Sequence, residues 1–197
     1  MTGSELKQQL IEILELTRVA TSDSDLFNLL THGYHRLIER MDLHRQFYKV
    51  SEETFVTVAD GRSYTLVATN IRIPIRLWHK ETDCTVEISD DADIVSDKVI
   101  WRASDHKLLC PCGLPTSGTW TFVYGPDVED IADNVTPALL HKRMHYLIAY
   151  QAALLKSIIE SSKRVNGFAT IVAEGISNNL AMVNDSGPRY VTRTSES

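Results

Sequence analysis

The sequence predicts an α+β fold: an antiparallel bundle of about four helices, a β-sandwich-like antiparallel insertion between helices 2 and 3, and an extended C-terminal tail. Three observations predict it. Apolar residues recur at helical spacing over residues 1–44, follow strand-like alternation over 45–126, and return to helical spacing over 127–183. Residues 184–197 are polar and are expected to form a tail without a fold of its own.

Length and composition are those of an ordinary globular protein. The chain has 197 residues, of which 43% are hydrophobic and 23% charged, so one domain with a sizeable core is expected. No apolar run has the length of a membrane span, and the first residues do not resemble a signal peptide, so we expect synthesis and folding in a cytosol. Three cysteines are too few for a disulfide framework, which agrees with a reducing compartment.

The charge of the chain bears on nucleic-acid binding. Lys and Arg number 20 and Asp and Glu number 26, which gives a net charge of −6 at pH 7. Tight nonspecific binding to DNA normally requires a basic face that releases counterions. The charge therefore predicts a chain that tolerates the passage of DNA rather than gripping it.

Two helices are predicted within residues 1–44. Ser4 is a suitable N-cap for the first helix, and the polar cluster 21–25 ends it and offers caps for the second. Both helices carry an apolar stripe of the width that a bundle requires. The stripe residues are Leu6, Leu10, Ile13, Leu14, Leu26, Leu30, Gly33, Leu37 and Met41.

Seven short runs of strand-forming residues, divided by Gly, Pro and Asp clusters, predict the β insertion. Asp60-Gly61 predicts that the first two runs pair as a hairpin, because this dipeptide tolerates positive φ. Pro74 suits an edge strand or a strand end. The runs are residues 55–58, 64–67, 71–73, 84–88, 98–102, 107–110 and 119–124.

Two further helices are predicted after the insertion. The first is long, from Pro137 to about Ser162, because Pro suits the first helical position and the apolar pattern continues without interruption. Asn166-Gly167 is a typical helix stop. A weaker helix follows from Phe168 to about Met182.

The long helix is apolar around nearly its whole circumference between residues 146 and 155. Such a helix must be buried on all sides. In a four-helix bundle, the other three helices are expected to cover only the side that faces the centre of the bundle. We therefore expect a contact with another subunit, at which small residues permit close approach. The predicted interface residues are Tyr146, Ala149, Tyr150, Ala152 and Ala153.

Two histidine-containing groups could bind zinc. His106, Cys110 and Cys112 offer suitable ligand types, with Cys84 as a further candidate, but their Cys-x-Cys spacing departs from the usual Cys-x-x-Cys pair. His141 and the histidine four residues later share one helix face, as in a zinc protease. The general base of that chemistry is a Glu directly after the first histidine, where this chain has Lys.

The remaining candidate groups have simpler interpretations. The acidic segment 90–97, with Asp90, Asp91, Asp93 and Asp97, lacks the Gly and Glu of an EF-hand and is predicted to be a solvated turn. The three tryptophans, Trp78, Trp101 and Trp120, are predicted to fill the core of the β insertion. We expect no catalytic residues, no metal and no cofactor; the alternative is a small metal-binding or enzymatic protein that uses His106, Cys110 and Cys112.

Two stretches of the chain resemble a known protein family. One leads from the aromatic strand at Trp120 through Tyr124-Gly125-Pro126 and an acidic loop to Thr136-Pro137, and then into the helix 146–153. The other is the helix from Asp25 to Arg40 that precedes the β region. Together they resemble the head-to-tail adaptor (connector) proteins of tailed bacteriophages. The 90–97 segment and Cys110-Pro111-Cys112 match no motif of that family.

The resemblance implies a structural virion protein without enzymatic activity. Adaptors of this family form a dodecameric ring under the portal protein, join it to a downstream tail protein (tail tube or nozzle), and surround the DNA channel without sequence-specific DNA binding. The implied location is the head–tail interface of the virion, after synthesis in the host cytoplasm and without membrane contact. A stopper or tail-completion protein of the same plan is a further alternative.

Family members also use a C-terminal extension to embrace the portal. The tail of this chain alternates polar and apolar groups after Pro188, as a segment that adds along a surface does. Tyr and Arg are frequent interface anchors. The expected portal-binding residues are Pro188, Arg189, Tyr190, Val191 and Arg193.

Overall fold

The structure, a computed structural model, describes residues 1–15, 22–43, 49–58, 61–89 and 99–186, with side chains described through residue 178. The chain divides into two compact units. The helical unit comprises Met1–Tyr48 and Glu129–Ser197, and the barrel unit comprises Lys49–Val128. The two ends of the chain therefore build one unit, and the segment between them builds the other.

Among the described residues, four α-helices form the helical unit: α1 (Gly3–Leu14), α2 (Asp23–Leu43), α3 (Tyr146–Ile159) and α4 (Val165–Ser186). α1 begins at a capping box, in which the Thr2 hydroxyl accepts from the Glu5 N–H and the Glu5 carboxylate accepts from the Thr2 N–H (2.8 Å). Thr2 is thus the N-cap in place of the predicted Ser4. None of the described helices is long and apolar enough to cross a membrane.

The prediction of one helix from Pro137 to about Ser162 is wrong at its beginning. Residues 137–141 are not helical, and a 3-10 turn covers Lys142–Met144 before α3 starts at Tyr146. α4, by contrast, begins earlier and ends later than predicted. The long apolar pattern therefore spans an irregular segment followed by a shorter helix.

Long-range hydrogen bonds explain why the segment before α3 is not helical. The Glu129 carboxylate accepts from the Ala138 N–H, and the hydroxyl of buried Tyr34 accepts from the Leu139 N–H (3.0 Å). These side chains satisfy the backbone donors without helix formation. Leu139 and its neighbour Leu140 are both buried, so the segment contributes to the core in an irregular conformation.

α3 lies at the centre of the helical unit and packs against α1, α2 and α4. It approaches α2 closely at Gly33, where an added Cβ would lie 2.8 Å from the Ala152 backbone nitrogen. No side chain fits at that position without moving backbone. The fully buried residues of α3 are Leu147, Ile148, Ala149, Ala152 and Ala153.

The described part of the barrel unit contains seven strands in one sheet, in the order β1-β7-β3-β4-β5-β6-β2. β4 and β5 are parallel, and all other neighbouring strands are antiparallel. The strands are β1 (Ser51–Thr57), β2 (Ser63–Thr65), β3 (Ile71–His79), β4 (Cys84–Ser89), β5 (Val99–Arg102), β6 (Lys107–Leu109) and β7 (Gly118–Pro126).

The predicted helical bundle with a sandwich-like antiparallel insertion is therefore wrong. The strands form one mixed sheet that curls into a nearly closed barrel, and side chains join its two edge strands. The Glu53 carboxylate of β1 accepts from the backbone N–H groups of Val67 (2.7 Å) and Ala68 (2.8 Å), just after β2. The Phe55 and Tyr64 ring centroids lie 5.1 Å apart. The fold is α+β, with four helices and a seven-stranded barrel-like sheet.

The predicted hairpin around Asp60-Gly61 is wrong in its strand pairing. The chain does turn there, because the Gly61 N–H donates to the Val58 carbonyl (3.1 Å); Asp60 itself lies outside the described residues. β1 nevertheless pairs with β7, and β2 pairs with β6. The strands before and after this turn do not pair with each other, because each finds its hydrogen-bonding partner in a later part of the chain.

Pro74 lies within β3, which is neither an edge strand of the sheet nor ends at Pro74, so neither of the two expected positions is correct. β4 joins β3 only from Arg76 onward, so at Pro74 the strand has β7 as its single sheet neighbour. The β3–β7 register also shifts between Pro74 and Arg76. A residue without an N–H is tolerated at such a bulge, where the ladder is already interrupted.

Side chains fill the interior of the barrel. Trp120 and Phe122 of β7 are fully buried at its centre, and β7 is buried without alternation from Phe122 to Pro126. Cys110 belongs to this apolar core. The buried core residues are Leu66, Leu77, Val99, Trp101, Leu108, Cys110, Trp120, Phe122 and Tyr124.

The contact between α2 and α3 predicts an unusual effect of replacing glycine by alanine. Gly33→Ala should lower the free energy of unfolding by about 1–3 kcal/mol, because the new methyl group overlaps the Ala152 backbone. Gly167→Ala in α4 is the matched control: its Cβ meets nothing within 4 Å, so it should stabilise by about 0.5–1 kcal/mol. Urea denaturation measures both, and equal effects would show that the helices do not meet at Gly33.

The joined edges of the barrel predict a second pair of variants. Glu53→Gln should lower the free energy of unfolding by about 1–2 kcal/mol, since the amide replaces one of two charged acceptors with a donor. Glu52→Gln, on the exposed face of the same strand, should change it by less than about 0.5 kcal/mol. Hydrogen exchange at Val67 and Ala68 should quicken in the first variant alone; unchanged exchange there would contradict the contact.

Candidate functional site

The five residues predicted to contact another subunit occupy two different environments. Ala149, Ala152 and Ala153 have no exposed surface in the chain. Their small side chains do permit close approach, but to helices of the same chain, because α1, α2 and α4 all pack against α3. Tyr146 and Tyr150 are half-buried, so they are the two members of the set that another molecule can reach.

Tyr146 and Tyr150 lie side by side along the border between α3 and α4. Their rings make an edge-on contact with centroids 6.2 Å apart, and the Tyr150 ring lies 6.3 Å from that of Phe168 in α4. A Cβ added at Gly175 would lie 2.9 Å from the Tyr146 hydroxyl oxygen. The two tyrosines thus follow α4 over about two turns and leave part of each ring open to solvent.

Each unit also exposes large apolar side chains of its own. On the helical unit, Ile158 and Ile159 end α3, and Ile159 is 80% exposed. On the barrel unit, Val56 and Val58 alternate along the outer face of β1 and its continuation, and Val67 after β2 is 87% exposed. Single exposed apolar residues are common, but neighbouring ones are typical of interaction surfaces.

The residues of the metal-binding alternative all lie in the barrel unit but differ in accessibility. Cys110 is buried in the core, and its burial raises the pKa of the thiol to about 11. Cys112 is exposed and Cys84 is half-buried. His106 adopts a left-handed conformation (φ 51°) between two strands, and its ring lies 6.1 Å from Trp101. Within the described ranges, no three His, Cys, Asp or Glu side chains are grouped as metal ligands.

His141 and His145 do not form a pair on one helix face. His141 precedes the 3-10 turn and accepts from the Arg143 N–H through Nδ1 (3.2 Å). His145 is the N-cap residue of α3 and is buried. Its Nε2 donates to the Leu140 carbonyl (3.2 Å), and its Nδ1 accepts from the α-ammonium of Met1 (3.0 Å). Both ring nitrogens of His145 are thus occupied by protein groups.

The tryptophans divide between the core and the surface of the barrel. Trp101 and Trp120 are buried, as predicted. Trp78 lies on the outer face of β3, where the Arg76 guanidinium is 5.9 Å from its ring and its Nε1 donates to Asp83 (3.3 Å). The alternation of β3 could have placed Trp78 outside, because its neighbours Leu77 and His79 are the inward positions.

Two groups singled out in the sequence lie outside the described residues. These are the acidic segment with Asp90, Asp91, Asp93 and Asp97, and residues 187–197 of the tail. Residues 184–186, predicted to belong to the tail, are the last residues of α4. The predicted portal contacts therefore stay predictions: Pro188, Arg189, Tyr190, Val191 and Arg193. α4 ends at Ser186, so the tail begins directly after a regular helix.

The burial of His145 predicts a pH dependence of stability. Burial lowers the pKa of this imidazole, so the unfolded chain takes up the proton first as the pH falls below about 6.5. The stability that neutral His145 contributes is complete above that pH and is lost as the pH falls through the lowered pKa. His145→Gln should therefore lose less stability than the wild type between pH 7.5 and 5.5, which urea denaturation at the two pH values measures.

The control for this prediction is His32→Gln, a change at an exposed position of α2. It should leave the wild-type pH dependence in place. An equal flattening in both variants would assign the effect to overall charge and not to the burial of His145.

The positions open to another molecule thus fall into two groups. One lies on the helical unit and contains Tyr146, Tyr150, Ile158 and Ile159; the other lies on the barrel unit and contains the exposed valines of β1 and of the segment after β2. Neither a protein-family model nor a curated protein matches the sequence.

Proposed function

We propose that this protein is a structural head-to-tail adaptor of a tailed bacteriophage. In this proposal a dodecameric ring of copies lies under the portal protein, joins it to the downstream tail protein, and surrounds the DNA channel. The protein acts in the virion, at the head–tail interface, and it has a structural and not an enzymatic task. Its partners are other proteins and further copies of itself.

The presence of separate apolar surfaces on the two units carries the proposal. The helical unit exposes Ile158 and Ile159, and the barrel unit exposes Val56, Val58 and Val67. A connector has to bind at least two different neighbours, and two units with their own apolar surfaces suit that task. Exposed apolar groups of this kind are characteristic of surfaces that bind protein.

The residues that carry the family resemblance also support the proposal, because they have structural tasks in both units. Trp120 and Tyr124 belong to the buried core of the barrel. The stretch then continues through the irregular segment 127–141 into α3, the central helix of the helical unit. The similarity therefore concerns residues on which the two cores depend and not a surface motif.

The charge of the chain agrees with a place beside DNA. A net charge of −6 disfavours tight contact with the phosphate backbone. A channel wall must let the genome pass, so weak attraction is an advantage there. The proposal accordingly includes no sequence-specific contact with DNA.

The proposal assigns the portal to the helical unit, whose last helix precedes the predicted portal-binding residues, and the downstream tail protein to the barrel unit. This assignment is testable with purified portal and downstream tail proteins. Ile159→Asp should weaken portal binding by about tenfold or more, because a buried charge costs about 1.4 kcal/mol or more at an apolar contact. Truncation after Ser186, which removes the predicted portal contacts and keeps α4 whole, should weaken it as well. Val56→Asp should instead weaken binding of the downstream tail protein. Biolayer interferometry measures both affinities.

Asn28→Asp is the matched control, since it adds the same charge to an exposed position of α2. It should leave both affinities unchanged. A wild-type protein that binds neither the portal nor the tail protein would refute the adaptor proposal. Equal losses for both partners in Ile159→Asp and Val56→Asp would refute the division of partners between the units.

A further inference from the structure

α4 is unusual for a surface helix because it carries almost no charge. Charged residues make up 23% of the whole chain, whereas the 22 residues of α4 include Glu174 and Asp185 alone. A helix at the surface of a soluble protein normally carries charged residues on its outer face. The exposed uncharged positions among its described side chains are Asn166, Gly167, Thr170, Ile171, Ala173, Ser177 and Asn178.

The inner face of α4 is already used within the chain. Phe168, Val172 and Ile176 are buried at spacings of four residues, as expected for a helix packed along α3. The outer face is therefore a separate surface. Half-buried Tyr146 and Tyr150 of α3 lie along its border, and the Ile171 side chain is 37% exposed on it.

The charge of the chain indicates which partner suits this surface. Two copies, each of net charge −6, repel one another, and like charges brought face to face cost several kcal/mol. Copies of an acidic chain therefore meet at the lowest electrostatic cost where their facing surfaces carry little negative charge. A basic protein would be matched by an acidic face, and a nucleic acid by a basic face. The described outer face of α4 is neither, because Glu174 is its single charge.

We infer that the outer face of α4, together with Tyr146 and Tyr150, is the surface by which one copy of this chain binds a second copy. Tyrosines that are part buried and part open are frequent anchors of such contacts. Small residues such as Ala173 and Gly167 allow another helix or sheet to approach closely. The inference identifies the contact between neighbouring copies in the proposed ring. The contact itself does not depend on the proposed function, whereas the closure of the copies into a ring does.

Photo-cross-linking tests this contact directly. Thr170 is replaced by p-benzoylphenylalanine, and the protein is irradiated alone and together with the portal protein. A covalent dimer of this chain should form in at least one of the two samples. The same probe at Asn28, exposed on α2, should give none. Ala173→Arg in the Thr170-probe protein should reduce the dimer by about tenfold, with helical circular dichroism unchanged because Arg is a good helix former.

Three results would overturn the inference: no dimer in either sample, capture of the portal in place of a second copy, or a dimer that Ala173→Arg leaves intact. Sedimentation of the unlabelled wild type with the portal separates this test from that of the adaptor function. A cross-linked dimer in a protein that fails to bind the portal would remove the adaptor function and leave the α4 contact standing.

Discussion

The packing of α3 between three other helices is the constraint on which the rest of the structure depends. A helix that is apolar around most of its circumference is stable in water only when other elements cover most of it. α1 and α2 come from the beginning of the chain and α4 from its end, so the helical unit can form only when the two ends of the chain meet. The barrel unit is inserted between α2 and α3 in sequence and leaves this meeting of the ends intact.

This packing also restricts the residues at the helix contacts. Ala152 faces Gly33, and there the backbones approach too closely for a side chain on α2. Close packing of this kind increases dispersion contacts and leaves little freedom for change. It also explains why small residues in the apolar pattern of α3 are poor evidence for a subunit contact: the same residues serve an internal contact equally well.

The surfaces available for function are consequently the faces of the helices and strands that do not pack into the core of either unit. α4 covers α3 with one face and presents the other, nearly uncharged, face to solvent. The barrel has a filled interior, so its available surface is its outer wall, where exposed valines flank the edges that Glu53 joins. These outer surfaces are the ones to which our proposal assigns the protein partners.

The sequence by itself determined the local features of this protein. Its alternating runs predicted seven strands, each of which overlaps a strand of the barrel, and its 3.6-residue periodicity predicted helices at α1, α2, α3 and α4. These features depend on residues that are close in sequence. Only the tertiary structure decided the pairing of β1 with β7, the parallel pair β4–β5, the start of α3 at Tyr146, and the burial of its alanines within one chain. Each of these depends on partners far away in sequence, such as Tyr34 for Leu139 and Gly33 for Ala152. A periodic pattern shows that a residue needs a partner, but the partner is selected by packing in three dimensions.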